Sequence, residues 1–263
     1  MTITDHRSHL PATSIADAAE AIGVVLYGDF TCPWSYLAYR RLAALRVAGL
    51  GFEFRAVEHD PWRAHETSRS EQFAEVQREM DTVLGCLRPD EELPYTLAGF
   101  VPHTKAAVSG YAEAAAAGVA DVAAPLLFEA FWRHGLDLSD PRVVRTLLGE
   151  AIMGGSSSSD PLRRWGHAVD VTGGPMTTAA WRLVREWRGE WTSLGKEVVP
   201  VLVPHDEPPV FGVDAVQHAG ELMGEWAVDP STPLEWPQPG PRQPVDGFSR
   251  RQVLYLPPVA RAR

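Results

Sequence analysis

The chain has 263 residues, of which 45% are hydrophobic and 22% charged, and its formal net charge is -10 at pH 7. These proportions fit a globular protein with a sizeable core. The negative charge argues against nucleic acid as a partner, because nucleic-acid binding needs a basic patch. No apolar run reaches the length of about 18 residues that a membrane span needs, so we expect no membrane contact either.

The first 21 residues and the cysteine count suggest a cellular compartment. Residues 1–21 carry several charges and no apolar core segment, so we expect no secretory signal there. Only two cysteines occur, Cys32 and Cys86, which favours the reducing cytoplasm. Small thiols are abundant there, and an enzyme with a single reactive cysteine needs such a thiol to resolve its intermediates.

A strand, a cysteine and a helix are predicted in immediate succession. The apolar run from Val24 to Tyr27 has strand character and leads through Gly28 and Asp29 to Cys32, after which helix-compatible residues begin with Pro33. Unpaired backbone N–H groups and the helix dipole favour a thiolate at such a helix start. The sequence therefore predicts a lowered pKa and a nucleophilic role for Cys32. A lone cysteine is more often a small buried hydrophobe, so the assignment depends on two later segments.

The middle of the chain is predicted to be mainly helical. Residues 51–58 alternate in polarity and predict a second strand. Apolar side chains then recur at steps of three and four, or helix-forming residues dominate, in several stretches. These predicted helices are residues 70–87, 105–117, 122–134, the segment opened by Asp140 and Pro141, and residues 176–194. Residues 154–159 have the composition of a flexible linker.

Two segments late in the chain support a function for Cys32. Residues 196–204 read as a β-branched strand with Pro200 near its start, where a proline often marks a cis bond in a tight corner. We therefore predict a cis Val199–Pro200 bond facing Cys32. Residues 210–216 are also strand-like and lead into a helical stretch around residues 218–223.

Three segments carry a resemblance to a known family: Asp29 to Tyr36, Leu127 to Trp132, and Val199–Pro200. Together they resemble the DsbA superfamily, in particular the branch of FrnE-like proteins, 2-hydroxychromene-2-carboxylate isomerases and kappa-class glutathione transferases. Phe211–Gly212 corresponds loosely to the final strand, and the similarity covers residues 22–226. The resemblance implies an α/β protein with a thioredoxin fold and a large helical insertion.

The resemblance also implies a division of the chain into three parts. Residues 22–60 and 172–226 are expected to form the thioredoxin-fold domain, and residues 61–171 the inserted helical domain. Residues 227–263 are rich in proline, so we expect a C-terminal tail that is extended over the surface or partly disordered.

The residues that decide the chemistry differ from those of each relative. Disulfide oxidoreductases of the family have cysteine at the positions of both Cys32 and Ser35. The isomerases and kappa-class transferases have serine at the position of Cys32 and use it to hold a glutathione thiolate. This chain has a cysteine at the first of these positions, Cys32, and a serine at the second, Ser35. We therefore predict a thiol-dependent oxidoreductase with a monothiol site.

In the predicted mechanism, the Cys32 thiolate attacks a disulfide or a small electrophilic substrate. Ser35 donates a hydrogen bond to the sulfur and supports its charge. The backbone of Val199 pairs with the thiol or peptide partner, and a low-molecular-weight thiol, glutathione or mycothiol, resolves the intermediate. The expected substrate-binding or thiol-binding residues are Pro33, Trp34, Val199 and Pro200.

Two alternatives remain open from the sequence. The site could instead bind glutathione or mycothiol as the cofactor of an isomerase or a transferase. The chain could also be a binding module whose thioredoxin fold has lost its redox activity. Alkylation of Cys32 well below the ordinary thiol pKa of about 8.5 would favour an enzyme over a binding module. As partners we expect a small molecule or a thiol substrate, and a homodimer is among the possible assemblies.

The other candidate residues give weaker signals. Cys86 lies at the end of the helix predicted at residues 70–87, where a structural thiol is more common than a distal resolving cysteine. His103 would lie over the cleft if the insertion caps it, although an exposed loop histidine is the commoner case. The four histidines of this part of the chain have no metal-ligand spacing, so we expect no metal site. These are His59, His65, His103 and His134.

Overall fold

The structure is a computed structural model, and it describes residues 22–61, 66–67, 71–89, 91–155 and 168–226. Three segments interpreted from the sequence lie outside these ranges: residues 1–21, residues 156–159 of the expected linker, and the proline-rich tail at 227–263. The expected division into domains therefore stays a prediction.

The described residues form six strands and seven helices. The strands are β1 (Ile22–Gly28), β2 (Gly51–Ala56), β3 (Glu66–Thr67), β4 (Phe100–Val101), β5 (Val201–Pro204) and β6 (Val210–Phe211). The helices are α1 (Pro33–Val47), α2 (Glu71–Leu84), α3 (Lys105–Ala116), α4 (Ala120–Trp132), α5 (Pro141–Gly154), α6 (Thr178–Ser193) and α7 (Val213–Glu225). None of these helices combines the length and the hydropathy that a membrane crossing requires.

The main sheet combines strands from both ends of the described chain. Its strand order is β2-β1-β5-β6, with β1 parallel to β2 and antiparallel to β5, and β5 antiparallel to β6. Helices α2 to α6 come between β2 and β5 in the chain, and β3 pairs with β4 in a separate two-stranded sheet. This arrangement is the thioredoxin fold with a helical insertion that the sequence predicts.

An aromatic core connects the sheet to the inserted helices. Strand β2 alternates between buried and partly exposed residues, as expected for a strand with one face on a core. Its central buried side chain, Phe54, lies on that face, with ring centroids between 5.4 and 5.5 Å from four other aromatic rings. These rings belong to Phe30 before α1, Tyr39 in α1, Tyr111 in α3 and Phe128 in α4. The insertion is therefore packed against the same core as the sheet.

Most predicted elements are present, with ends that differ by a few residues. The strand predicted at residues 51–58 is β2, and the predicted helices correspond to α2, α3, α4, α5 and α6. Residues 196–204 contribute a shorter strand, β5, which starts immediately after Pro200. Differences of this size are usual at helix and strand ends, where hydrogen bonding is incomplete.

The strand predicted at residues 210–216 is wrong beyond Phe211. Gly212 adopts a φ of 59°, a left-handed conformation that ends the strand, and α7 begins at Val213. Ala215 and Val216 are buried on this helix, which packs against α1. A short apolar run fits a buried helix as well as a buried strand, so the sequence pattern did not separate the two.

Candidate active site at the start of the first helix

The backbone places Cys32 at the junction between β1 and α1. The Cys32 N–H donates to the Asp29 carbonyl at 3.2 Å, which closes the turn after the strand. The Tyr36 N–H then donates to the Cys32 carbonyl at 3.0 Å, which is the first hydrogen bond of the helix. Pro33 occupies the first helical position, where its missing N–H costs nothing. The predicted strand–cysteine–helix succession is confirmed.

Ser35 lies buried behind Cys32 and packs against the end of β1. A Cβ added at Gly28 would lie 3.1 Å from the Ser35 Cβ and hydroxyl and 2.9 Å from the Phe54 ring, so only glycine permits this approach. The Ser35 hydroxyl accepts a hydrogen bond from the Asp29 N–H at 3.3 Å. The serine that replaces a second cysteine therefore also stabilises the turn that presents Cys32.

A buried carboxylate ties this turn to two other segments. Asp29 is 4% exposed, and its Oδ1 accepts hydrogen bonds from the Thr31 N–H and hydroxyl, both at 2.9 Å. Its Oδ2 accepts from the His59 N–H at 3.0 Å and from the Thr104 hydroxyl at 2.9 Å. We call these four residues the Asp29 cluster. The cluster joins the Cys32 turn, the segment after β2 and the residue that precedes α3.

Helix α4 of the insertion supports the same turn from another side. The Trp132 indole N–H donates to the Phe30 carbonyl at 3.0 Å, and the Trp132 ring stacks on Tyr36 with centroids 5.6 Å apart. Tyr36 is fully buried, and its hydroxyl donates to the Pro94 carbonyl at 2.9 Å. Tyr36 is therefore a packing residue of the core.

The Val199–Pro200 peptide bond is cis, as predicted, and it faces Cys32. The Cys32 Sγ–H donates to the Val199 carbonyl at a sulfur–oxygen distance of 3.7 Å. Pro200 is followed at once by β5, whose first residue, Val201, pairs with Tyr27 in β1. The pairing of β5 with β1 thus brings Val199 next to Cys32, although the two residues are far apart in the chain.

Cys32 opens onto a cleft of about 250 Å³, here called the Cys32 cleft. Of the site residues predicted from the sequence, Cys32, Trp34 and Val199 line it, whereas Pro33, Ser35 and Pro200 do not. The described lining residues are Asp29, Thr31, Cys32, Trp34, His59, Asp60, Glu75, Val76, Glu79 and Val199.

Burial raises the pKa of the Cys32 thiol to about 12. Although the residue as a whole is partly exposed, the surrounding chain removes enough water to disfavour the thiolate. The Ser35 hydroxyl and N–H lower the pKa of the thiol, while the charges of Glu79 and Asp29 raise it. The predicted lowering of this pKa is therefore wrong, because burial outweighs the hydrogen bonds from Ser35.

A second, smaller cavity of about 80 Å³ is here called the Glu58 cavity. Two of its lining residues, Glu58 and Lys105, are the sequence neighbours of His59 and Thr104 in the Asp29 cluster. Burial, with a contribution from the Asp29 charge, raises the pKa of Glu58 to about 7, against the lowering effect of Arg188 and Lys105. The described lining residues are Ala56, Val57, Glu58, Lys105, Val108, Ser109, Val184 and Arg188.

The sequence interpretation missed most of the polar residues of the Cys32 cleft. Glu75 and Glu79 are four residues apart on α2, so they share one face of the helix, and this spacing was visible in the sequence. Which helix face covers Cys32 was not visible, because it depends on how the insertion packs. His103 is not among the described lining residues of the Cys32 cleft. Its buried Nδ1 has no hydrogen-bond partner among the residues that the structure describes.

Comparison with known families agrees with this fold. The model of the DSBA-like thioredoxin domain matches residues 23–157, just over half of the chain. The chain therefore belongs to the family of DSBA-like thioredoxin domains. A search of curated proteins found no similar sequence.

Several solved structures share the fold. A 2-hydroxychromene-2-carboxylate isomerase is 19% identical with a TM-score of 0.53, over 78% of this chain and 95% of its own. A probable DsbA oxidoreductase from Streptomyces coelicolor is 19% identical with a TM-score of 0.56, over 85% of this chain and 94% of its own. The cytosolic disulfide reductase DsbM from Pseudomonas aeruginosa is 15% identical with a TM-score of 0.52, over 77% and 94%. The predicted superfamily and thioredoxin fold are confirmed.

Proposed function

We propose that the protein is an enzyme that exchanges disulfides through the single thiol of Cys32. The observation that supports this function best is the position of the sulfur, which lies in the Cys32 cleft and 3.7 Å from the Val199 carbonyl beside a cis proline. A disulfide bound in the cleft would lie next to the nucleophilic sulfur of Cys32 and to the Val199 carbonyl, which is a hydrogen-bond acceptor. Trp34 adds a largely apolar wall to this cleft.

The first step is attack of the Cys32 sulfur on a bound disulfide. Cys32 loses its proton to solvent, and the thiolate forms a bond to one sulfur of the substrate. The substrate S–S bond breaks, and the departing thiolate takes up a proton. The Cys32 sulfur is oxidised to a mixed disulfide while the departing sulfur is reduced, so the electrons balance. Loss of the Sγ proton also frees the Val199 carbonyl to accept a hydrogen bond from the substrate.

The second step requires a thiol from outside the chain. Ser35 has no sulfur, and Cys86 lies elsewhere: its carbonyl accepts a hydrogen bond from Arg41, which is nine residues beyond Cys32 on α1, or about 13 Å along the helix. A low-molecular-weight thiol, glutathione or mycothiol, attacks the substrate sulfur of the mixed disulfide and releases Cys32. The net reaction exchanges one half of a disulfide for the external thiol, and a reducing cytoplasm is its proposed setting.

A second function is favoured by the raised pKa of Cys32. A neutral thiol donates a hydrogen bond, so Cys32 could hold the thiolate of a bound cofactor thiol, as an isomerase or a transferase requires. One structure with this fold is named as an isomerase, which makes this reaction class a natural alternative. In this function Cys32 never becomes covalently modified.

Three proteins distinguish these functions: wild type, Cys32→Ser and, as the matched control, Cys86→Ser. Each is incubated with hydroxyethyl disulfide and a small thiol, while mass spectrometry follows adducts and a coupled assay follows thiol release. Disulfide exchange predicts an adduct and turnover in wild type and Cys86→Ser, and neither in Cys32→Ser. The donor function predicts no adduct, binding of a small thiol by wild type, and retained binding in Cys32→Ser, whose hydroxyl also donates. If neither adduct nor thiol binding occurs, both enzymatic functions fail and the chain is a redox-inactive binding module.

A further inference from the structure

His59 lines the Cys32 cleft, and two sets of contacts fix its position relative to Cys32. The first set belongs to the Asp29 cluster. One Asp29 oxygen accepts a hydrogen bond from the His59 N–H at 3.0 Å, and the other accepts from the N–H of Thr31, next to Cys32, at 2.9 Å. A single carboxylate therefore holds both the segment after β2 and the turn that presents Cys32.

The second set of contacts involves Trp191 of α6. The Trp191 ring is buried and meets the His59 ring edge to face, with centroids 6.3 Å apart. Its indole N–H donates to the Val198 carbonyl at 2.8 Å, and the next carbonyl, that of Val199, lies 3.7 Å from the Cys32 sulfur. The backbone of His59 is thus tied to the turn before Cys32, and its ring to the segment that faces Cys32.

Disulfide exchange at Cys32 releases a thiolate into this cleft, and the thiolate takes up a proton. An ordinary thiol has a higher pKa than an imidazolium, so proton transfer from a histidine to the departing sulfur is favourable. Histidine is also the side chain whose ordinary pKa lies closest to neutral pH, so it can both give and regain a proton there. We infer that His59 is the general acid that protonates the departing sulfur. This inference rests on the proposed disulfide exchange and adds a catalytic residue to it.

The protons balance over both steps of the exchange. In the first step, the His59 imidazolium gives its proton to the departing thiolate as the substrate S–S bond breaks. In the second step, the neutral imidazole takes the proton of the incoming small thiol, which attacks the mixed disulfide as a thiolate. Cys32 then leaves as a thiolate and regains from solvent the proton that it lost at the start. The net reaction needs only the disulfide and the small thiol.

Other groups near His59 titrate or carry charge, so a pH profile has to be assigned to one of them. Glu58, its neighbour in sequence, lines the Glu58 cavity, and burial raises its pKa to about 7. The described groups on the surrounding segments are Asp29 before α1, Glu58 and Asp60 beside His59, Glu75 and Glu79 on α2, and Arg188 on α6. An effect that belongs to the His59 ring persists when Glu58 cannot ionise.

The test compares three reagents whose departing groups differ in their need for a proton. Hydroxyethyl disulfide releases an aliphatic thiolate, dithiodipyridine releases a group that is stable as a thione, and iodoacetamide releases iodide. Rates of Cys32 modification are measured in a Cys86→Ser protein below neutral pH. His59→Gln should lower the rate with hydroxyethyl disulfide by about a hundredfold, the lower end of general acid catalysis, and leave the other two rates unchanged.

A second variant and the pH dependence separate catalysis from packing. His59→Phe keeps the backbone N–H that Asp29 binds and an aromatic ring against Trp191, and should show the same selective loss. The ratio of parent to variant rates with hydroxyethyl disulfide should fall as pH rises through neutrality, because a neutral imidazole cannot donate. Glu58→Gln should leave this fall in place.

His205→Gln is the matched control. The His205 N–H donates to the Gly23 carbonyl at 3.0 Å, near the start of β1, whereas Cys32 follows the end of that strand, so all three rates should stay unchanged. An equal loss with all three reagents in the His59 variants, or no loss with hydroxyethyl disulfide, would overturn the inference, as would a pH effect that disappears in Glu58→Gln. If parent Cys32 is alkylated by iodoacetamide yet forms no adduct with either disulfide, the proposed function itself is wrong, and the inference is wrong with it.

Discussion

The Cys32 cleft and the Glu58 cavity lie close to the same buried carboxylate but differ in charge. Asp29 lines the Cys32 cleft, and two of its partners, His59 and Thr104, are sequence neighbours of Glu58 and Lys105 in the other cavity. Burial and the Asp29 charge raise the pKa of an acid on each side, the thiol of Cys32 and the carboxyl of Glu58. Burial and the Asp29 charge therefore act on both groups in the same direction, which is to raise the pKa.

The groups that lower the pKa differ between Glu58 and Cys32. Next to Glu58, Arg188 and Lys105 lower the pKa of the carboxyl, and it stays at about 7. Next to Cys32, the opposing groups are the hydroxyl and N–H of Ser35, while Glu79 adds a further negative charge. Hydrogen bonds from a neutral residue stabilise an anion less than nearby cations do. Burial is nevertheless the largest cause of both shifts, and Glu58 ionises nearer to neutral pH mainly because the ordinary pKa of a carboxyl lies well below that of a thiol.

The largest expected effect is on the pH dependence of Cys32. Because its pKa is raised to about 12, the thiolate fraction grows about tenfold per pH unit through neutral and alkaline pH. In a Cys86→Ser protein, the rate of alkylation by iodoacetamide should rise with this slope and show no plateau near neutral pH. The urea-unfolded protein is the control, and its rate should level off above about pH 8.5. A plateau near neutral pH in the folded protein would show that the helix start prevails over burial.

A smaller but still large effect is expected for the Asp29 cluster. Asp29→Ala removes the acceptor of four hydrogen bonds and leaves buried donors on Thr31 and Thr104 and a partly buried N–H on His59. Such a loss should lower the free energy of unfolding by about 4 kcal/mol, measured by urea denaturation. Asp29→Asn keeps one acceptor and should cost less. It also removes a charge, so alkylation of Cys32 at a given pH should become faster.

A finding that Asp29→Ala unfolds like wild type would show that the cluster does not hold the Cys32 turn in place. If Asp29→Asn leaves the alkylation rate unchanged, the Asp29 charge does not reach the sulfur. These two readouts separate the structural contribution of the cluster from its electrostatic one, because only the second depends on charge.

Local signals in the sequence were sufficient for the backbone of the candidate site. The run from Val24 to Pro33 specifies a strand, a turn and a helix start within a few residues, and Pro200 marks the corner before β5. Each of these features depends on short-range sterics and hydrogen bonding, which a single segment encodes. The strand–cysteine–helix succession and the cis bond were therefore predictable.

The electrostatics of the site were not predictable in the same way. The pKa of Cys32 depends on how much water the surrounding chain removes and on the approach of Glu79 from α2. These groups are brought together by packing of the insertion, and hydrophobic periodicity does not specify which helix face covers which strand end. The helix start correctly placed the sulfur but gave the wrong sign for the shift of its pKa.

The smallest of these effects concerns Glu58 and the pH dependence of stability. Its pKa is raised from about 4.5 in the unfolded chain to about 7 in the folded protein, so the folded state binds more protons between these values. Stability is therefore highest at the acidic end of this window and falls as pH rises through it. Glu58→Gln, which cannot ionise, should remove this fall and raise the free energy of unfolding above neutral pH. The expected gain is about 1 kcal/mol, because solvent screens this partly exposed group.

Urea denaturation of both proteins across the window measures the effect, with Glu207→Gln in an exposed loop as the matched control. Parallel curves for wild type and Glu58→Gln would mean that Arg188 and Lys105 fully offset burial, and the two cavities would then differ even more than their pKa values indicate.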